Sequence, residues 1–346
     1  MDVRFSSEQE ALRDAATRLI DRLGPRSVGE VGEPERSEKL DAAVAASGWR
    51  ELRTDRGEGS PLASGVEAGI VAEVLGKGLA DTAFFGPVMA GELRRLAGAP
   101  SGGPGETVAF SSDLSSTLFE GEGETRSGVA VDAGGSSTAL LLVNGPEGPR
   151  LFESRLFGAH VGVDPTRPSV ALPTVDGLEP VAGADRSMTS DDLDRFVAIG
   201  LALACADLVG SMAGAVELAV DYARDRHQYG AAIGSFQAVQ HLLADAFVLT
   251  EGARSIALHA SWAVDELAPV DALAAGAVAK AYCARAAMQV CETAIQVHGG
   301  IGNTWECSAH LFLRRALLSS DLFGNTGVNL ARVLAHEGIG GGDGLS

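Results

Sequence analysis

Apolar positions recur at helical spacing over most of the chain, and the stretches where they do not mark its divisions. Leu12, Ala15, Ala16, Leu19, Ile20 and Leu23 fall on one face of a first helix. Ser7 followed by Glu10 matches a capping box at its start, and Gly24-Pro25 stops it. Helical patterns follow at about 39–47, 66–79 and 87–96. The breaker-rich run Ala99-Pro100-Ser101-Gly102-Gly103-Pro104-Gly105 then predicts a boundary. From about 106 to 181 the period changes. Short β-type runs at 138–143, 150–156 and 169–172 alternate with turns such as Gly145-Pro146-Glu147-Gly148-Pro149, which predicts a small antiparallel β unit.

From Ser190 onward the pattern returns to helices, now long and rich in Ala and Leu, at 191–226, 236–266 and 270–297. Antiparallel helices of this length and apolar content pack as a bundle. The expected fold class is therefore α+β multidomain, mainly α. It comprises an N-terminal helical domain (1–105), a middle β domain (106–185), a C-terminal four-helix bundle (186–337) and a flexible glycine-rich tail (338–346).

Composition narrows the functions open to this fold. At 46% hydrophobic residues over 346 positions the chain can bury enough apolar surface to offset its conformational entropy, which excludes disorder as its main state. The net charge of −19, without a basic cluster, excludes a nucleic-acid partner, and any anionic ligand must be held by a few local donors. No apolar run is read as approaching the roughly 20 residues that cross a bilayer, so no membrane partner is expected. The N-terminus lacks the features of a signal peptide, and a cytoplasmic location is expected. Cys205, Cys283, Cys291 and Cys307 show no CxxC spacing, and no metal site is expected. Cys283 and Cys291 read as buried small residues of an Ala-rich helix.

Two stretches carry candidate chemistry. Arg226-His227-Gln228-Tyr229-Gly230 closes one long helix and is followed by Ile233-Gly234-Ser235-Phe236-Gln237-Ala238-Val239-Gln240-His241. Gln296-Val297-His298-Gly299-Gly300-Ile301-Gly302 closes another, with Thr304-Trp305-Glu306 beyond it. An arginine at a helix end beside a glycine turn offers its guanidinium fork to a pyrophosphate, and paired glycines let backbone approach a ligand. A single glycine-ended helix is an ordinary cap; two such ends with these neighbours are distinctive.

Together these stretches resemble the acyl-CoA dehydrogenase family, whose bundle carries RxQFG, FQAVQH and QxxGGxG motifs at these separations. Asp164-Pro165-Thr166-Arg167-Pro168, the first helix and Val71-Ala72-Glu73-Val74-Leu75-Gly76 resemble it too, so that the likeness runs over nearly the whole chain. The resemblance implies FAD as cofactor and an acyl-CoA-like small molecule as ligand. It implies that Arg226 binds the FAD pyrophosphate with Gln228 beside it, and that Tyr229 packs where the family often has Phe. Gln237 would support the adenosine half, while Gln296, Val297, Gly299 and Gly300 would contact the adenosine and ribose. Thr326 lies near a C-terminal flavin-contacting threonine. In the family these groups serve the FAD of a neighbouring subunit, so a dimer or tetramer is implied, homomeric or with a second acyl-CoA dehydrogenase subunit.

The chain also departs from that pattern. The family's chemistry needs a glutamate base, and the usual position falls at Phe323 or Gly324; an alternative on the first bundle helix falls at Gly200, beside Leu201 where an arginine is expected. The catalytic residue therefore stays unassigned, with Asp321 and Asp207 as candidates for a relocated base. Asp321 otherwise reads as a solvated helix end, Asp207 as a polar residue at a helix interface, and Arg314-Arg315 as a surface face. The own-subunit flavin segment is unrecognisable at about 108–128, which reads Ser111-Ser112-Asp113-Leu114-Ser115-Ser116 and then carries Glu120, Glu122 and Glu124. The expectation is an α,β-dehydrogenating acyl-CoA dehydrogenase-type subunit that completes a partner's FAD site. A non-catalytic scaffold or ligand-binding protein, and a flavin oxidase or oxygenase relative, stay open.

Overall fold

The computed structural model describes residues 4–57, 59–103, 105–120, 127–157, 160–172, 178–184 and 186–339. Four helices come first: α1 (Ser7–Leu23), α2 (Pro34–Ala46), α3 (Gly65–Lys77) and α4 (Phe85–Leu96). The capping box of α1 is one residue earlier than expected. Ser6 accepts from the Gln9 amide while the Gln9 side chain accepts from the Ser6 amide. Ser6 and Ser7 both stand three residues before a Glu or Gln, so spacing alone fits either. α2 begins ahead of its apolar pattern because Pro34 occupies its first turn and the Glu33 carboxylate accepts from the next free amides.

The β unit is built from β1 (Glu106–Ser111), β2 (Leu118–Phe119), β3 (Gly128–Val131), β4 (Thr138–Gly145), β5 (Gly148–Arg155), β6 (His160–Val161), β7 (Ser169–Leu172) and β8 (Glu179–Pro180). Among the described residues the strand order is β6-β7-β3-β1-β4-β5-β8, with β2 also on β4. The sheet is mixed, which corrects the antiparallel expectation: β1 and β2 both run parallel to β4. A parallel pair needs a crossover connection, and the chain supplies it by running out through β3 before returning. The β4–β5 hairpin turns tightly at Gly145↔Gly148. Alternation along the strands sends Val108, Phe110, Leu140 and Leu142 into the main core. Ala109, Ala139 and Leu141 join a second cluster with Phe119 and Val170.

The third unit holds α5 (Ser190–Asp225), α6 (Gln237–Glu266), α7 (Pro269–His298), α8 (Ala309–Asp321) and α9 (Thr326–His336). The expectation that no segment is apolar enough to cross a bilayer fails at α5, which passes by length and composition with a mean hydropathy of 2.0 over its most apolar window. Its apolarity has another use here, since 89% of that window is buried inside the fold. Glycines let α3 lie directly on it: a Cβ at Gly210 would come 2.0 Å from the Glu73 carbonyl oxygen, and one at Gly214 2.5 Å from that of Lys77. Cys283 and Cys291 are buried, as their setting predicts, and so is Cys205; burial pushes the Cys291 thiol up to about 12. Within the tail, residues 340–346 lie outside the described residues.

Candidate functional site

The ends of α5 and α7 lie side by side because Tyr222 stacks on His298, ring centroids 4.4 Å apart and planes 27° apart. His298 is fixed in turn, its Nδ1 donating to the Ala294 carbonyl at 2.7 Å. Tyr222 stands one turn before the Arg226 motif and His298 lies within the Gln296–Gly302 motif, so packing at the helix ends brings the motifs together.

Arg226 caps α5 in extended conformation, its amide donating to Tyr222 O and its carbonyl accepting from the Ile233 amide. With the backbone held at both ends, the side chain projects outward. It is exposed and makes no ion pair with another described residue. A hairpin follows, β9 (His227–Gln228) against β10 (Ala231–Ala232), joined by Tyr229-Gly230. Both turn residues have positive φ, 53° and 80°, the backbone of a twist-matched two-residue turn that normally takes Asn-Gly or Gly-Gly. An aromatic residue there is strained. Tyr229 is 96% exposed, and its ring meets Phe236 edge-on at 6.4 Å.

On α7 the chain breaks at Gly299, with φ 66° and ψ −143°, a combination only glycine adopts readily. A Cβ at Gly299 or Gly300 would meet nothing within 4 Å, so the backbone is open to a ligand. Gln228, Gln237 and Gln296 are exposed around these turns. Val297 departs from its expected place: the side chain is buried in the bundle core, which leaves only its backbone for a ligand. Thr326 opens α9, where the Asn325 side chain caps the helix. A donor set of one free guanidinium, open glycine backbone and exposed amides suits an extended anionic ligand such as FAD.

The inward-facing positions are different in kind. Phe323 and Gly200, both expected at base positions, touch each other: a Cβ at Gly200 would lie 2.0 Å from the Phe323 ring. Phe323 is fully buried among Phe85, Phe110 and Phe196, at centroid distances of 6.5, 5.0 and 5.6 Å. Residues 111–116, in the region expected to carry an own-flavin segment, form a turn closed by the Ser111 and Leu114 amides on the Ser116 and Ser111 carbonyls. The Asp113 carboxylate accepts from Ser111 and Ser115 and is held below its ordinary pKa by them, while the Leu114 carbonyl accepts from the Phe323 amide. Glu120 is exposed; Glu122 and Glu124 lie outside the described residues.

Neither substitute carboxylate is placed as a free base inside this site. Asp207 is buried, accepting from Arg315 at 2.7 and 2.8 Å and from Ser319 at 2.6 Å, with Arg167 at 3.3 Å. Burial works to raise its pKa, but the charges of Arg167 and Arg315 and the Ser319 bond outweigh it and leave it lowered. Arg315, expected on a surface face, is likewise buried. It reaches the Ala80 carbonyl of the first unit, the Thr166 hydroxyl beside the sheet and Asp207 of the bundle, and so ties all three together. Arg167 completes the tie, pairing with Asp164 at 3.0 Å and donating to the Arg315 carbonyl at 2.8 Å. The Asp164–Pro168 segment noted in the sequence is thus a structural clasp, and sequence separation hides its partners. Asp321 is exposed at the end of α8, outside the turn that sends Phe323 inward. Burial raises its pKa somewhat. Sequence reading also missed Lys280, fully buried on α7, whose Nζ donates to the Leu322 carbonyl. A lysine in an Ala-rich helix gives no sign of facing inward.

Residues 197–337 match the family model described as acyl-CoA dehydrogenase, C-terminal domain. The chain is similar to acyl-CoA dehydrogenase IpdE2 of Mycolicibacterium smegmatis, 28% identical over 339 residues that cover 96% of this chain and 99% of that one. Among solved structures it shares the fold of the ChsE4-ChsE5 complex from Mycobacterium tuberculosis, at TM-score 0.76 and 18% identity, covering 98% of this chain and 99% of that chain. It shares it equally with PigA, solved with FAD and proline, at TM-score 0.76 and 18% identity over 99% and 100% of the two chains.

Proposed function

The chain belongs to the acyl-CoA dehydrogenase family, and from that premise we propose that it works as a subunit completing the FAD site of a neighbouring chain, rather than housing a full site of its own. The observation that carries this reading is the contrast between its two half-sites. The outward one is open: Gly299 and Gly300 have free space beside them, and the Arg226 guanidinium makes no ion pair with another described residue. The inward one is packed solid with phenylalanine and carries no carboxylate at Phe323, Gly324 or Gly200.

In this reading the Arg226 guanidinium and the Gln228 amide hold the pyrophosphate of the neighbour's FAD. The Gly299-Gly300 backbone, Gln296 and Gln237 receive its adenosine half, and Tyr229 packs against the partner surface. Thr326, the first residue of α9, would supply a further contact. When bound, FAD supplies the acceptor for the hydride that leaves the β-carbon of an acyl-CoA thioester. The α-proton needs a base, and the reading assigns that base to the partner subunit. The similar ChsE4-ChsE5 complex supports a two-subunit assembly, and PigA, solved with FAD, supports FAD on this fold. Exposed apolar side chains on α6, α7 and α9, among them Phe247, Val248, Tyr282 and Leu330, support burial of these helices in an oligomer.

Arg226→Ala tests the assignment directly. Losing a charge-assisted bond to phosphate costs roughly 1.5–3 kcal/mol, so the flavin-to-protein ratio of the assembly after gel filtration should fall. Equal flavin content in wild type and variant would remove Arg226 from the site.

A further inference from the structure

Phe323 stands where the three units meet, in a turn between two short helices that has no evident need of an aromatic residue. Its backbone adopts φ 57°, a left-handed conformation unfavourable for a bulky side chain. The ring contacts one phenylalanine from each unit: Phe85 of α4, Phe110 of β1 and Phe196 of α5. It presses on Gly200 so closely that no larger residue fits there without displacing it.

The turn is held by an unusual concentration of donors. Lys280 Nζ donates to the Leu322 carbonyl, and Asn329 Nδ2 to that of Gly324 at 2.8 Å. Arg332 donates to the Phe323 carbonyl at 2.5 Å, and the Phe323 amide donates to Leu114 at 2.9 Å. Burying a lysine is unfavourable, and burial lowers the pKa of Lys280 to about 8. The fold sustains that strain and that buried cation together, and their joint result is a single ring driven inward.

We infer that Phe323 is a plug that closes this chain's own acyl cleft, so that an assembly containing it binds acyl-CoA in the neighbour's cleft alone. The inference rests on the neighbour-site reading above and adds the physical reason for its one-sidedness: the cleft is filled by a side chain, beyond merely lacking a base. Gly200 belongs to the same device, since only glycine leaves room for the ring.

The test uses the full chain and two probes, octanoyl-CoA and free CoA, with binding followed by calorimetry and by thermal melting. Wild type alone should show no saturable response to either. Phe323→Ala should melt several degrees lower, because an unfilled cavity is left, and should recover part of that loss with octanoyl-CoA but not with CoA. Gly200→Ala gives an independent check through a double-mutant cycle. It should destabilise the wild type and be neutral or stabilising in the Phe323→Ala background, where the ring it collides with is gone. Phe323→Leu replaces Phe323→Ala in both arms if the larger truncation does not fold. Binding of one octanoyl-CoA per wild-type chain would overturn the inference. So would a Phe323 variant that folds yet ignores octanoyl-CoA, or equal effects of Gly200→Ala in the two backgrounds. Failure of the underlying reading shows up elsewhere, as an assembly with its partner that carries no flavin.

Discussion

Asp207 illustrates how a candidate for chemistry becomes a structural element once its neighbours are known. Its two carboxylate oxygens are taken up by Arg315, Arg167 and Ser319, so a proton abstracted there would have to displace a buried ion pair. Asp207→Asn should therefore act on stability. Removing one charge of such a network leaves the arginines uncompensated, at a cost of about 3–5 kcal/mol, and a urea midpoint should fall accordingly. A variant as stable as wild type but inactive would restore Asp207 as a base. Lys280 carries a prediction of opposite character. With its pKa lowered to about 8 in the fold from 10.5, the unfolded chain binds more protons than the folded one between those values. Stability contributed by this group must then rise as pH rises through that window. Taken by difference from Lys280→Met, which lacks the titration, wild type should gain stability between about pH 7.5 and about pH 10. A flat difference would mean that the buried ammonium titrates normally. Neither residue announced its role in the sequence, because the partners of Asp207 lie on α8 and beside β7 and the charged end of Lys280 hydrogen-bonds backbone carbonyls of the Leu322–Gly324 turn.

At the scale of elements, the helices were legible and the sheet only partly so. Apolar periodicity marks α1, α3, α4 and the three long bundle helices to within a few residues, since each carries its signal locally. The β4–β5 hairpin was equally readable from its turn. The parallel pairing of β1 with β4 was not, because it joins strands separated by the whole of β2 and β3 and no local pattern records it. The glycines of α5 likewise gain meaning only with α3 in place. Gly210→Ala would normally favour a helix by about 1 kcal/mol, yet here the added Cβ collides with the Glu73 carbonyl. The variant should melt at lower temperature than wild type. An unchanged or raised melting point would show that α3 and α5 are not in the close contact described.

For the molecule as a whole, the two motifs read from the sequence meet at the ends of α5 and α7, while the expected base positions meet in the core around Phe323. The sequence exposed the first because arginine and paired glycines are conspicuous types. It exposed the loss of a glutamate in the second, but not that the space itself is filled, which depends on three rings from three units. This chain alone should accordingly oxidise saturated acyl-CoA poorly, since a missing general base typically costs about 10²–10⁴-fold in rate. Turnover should return with a partner that bears the glutamate, read as bleaching of bound flavin on addition of substrate. Robust turnover by the chain alone would redirect attention to Asp321 and its Asp321→Asn variant. The most direct measurement is the flavin content itself, taken as flavin absorbance against protein after gel filtration. It should be made for this chain alone and for the chain co-expressed with a glutamate-bearing acyl-CoA dehydrogenase subunit. The isolated chain should retain no flavin and the complex one flavin per pair of chains; one flavin held by each chain of the isolated protein would contradict the neighbour-site assignment.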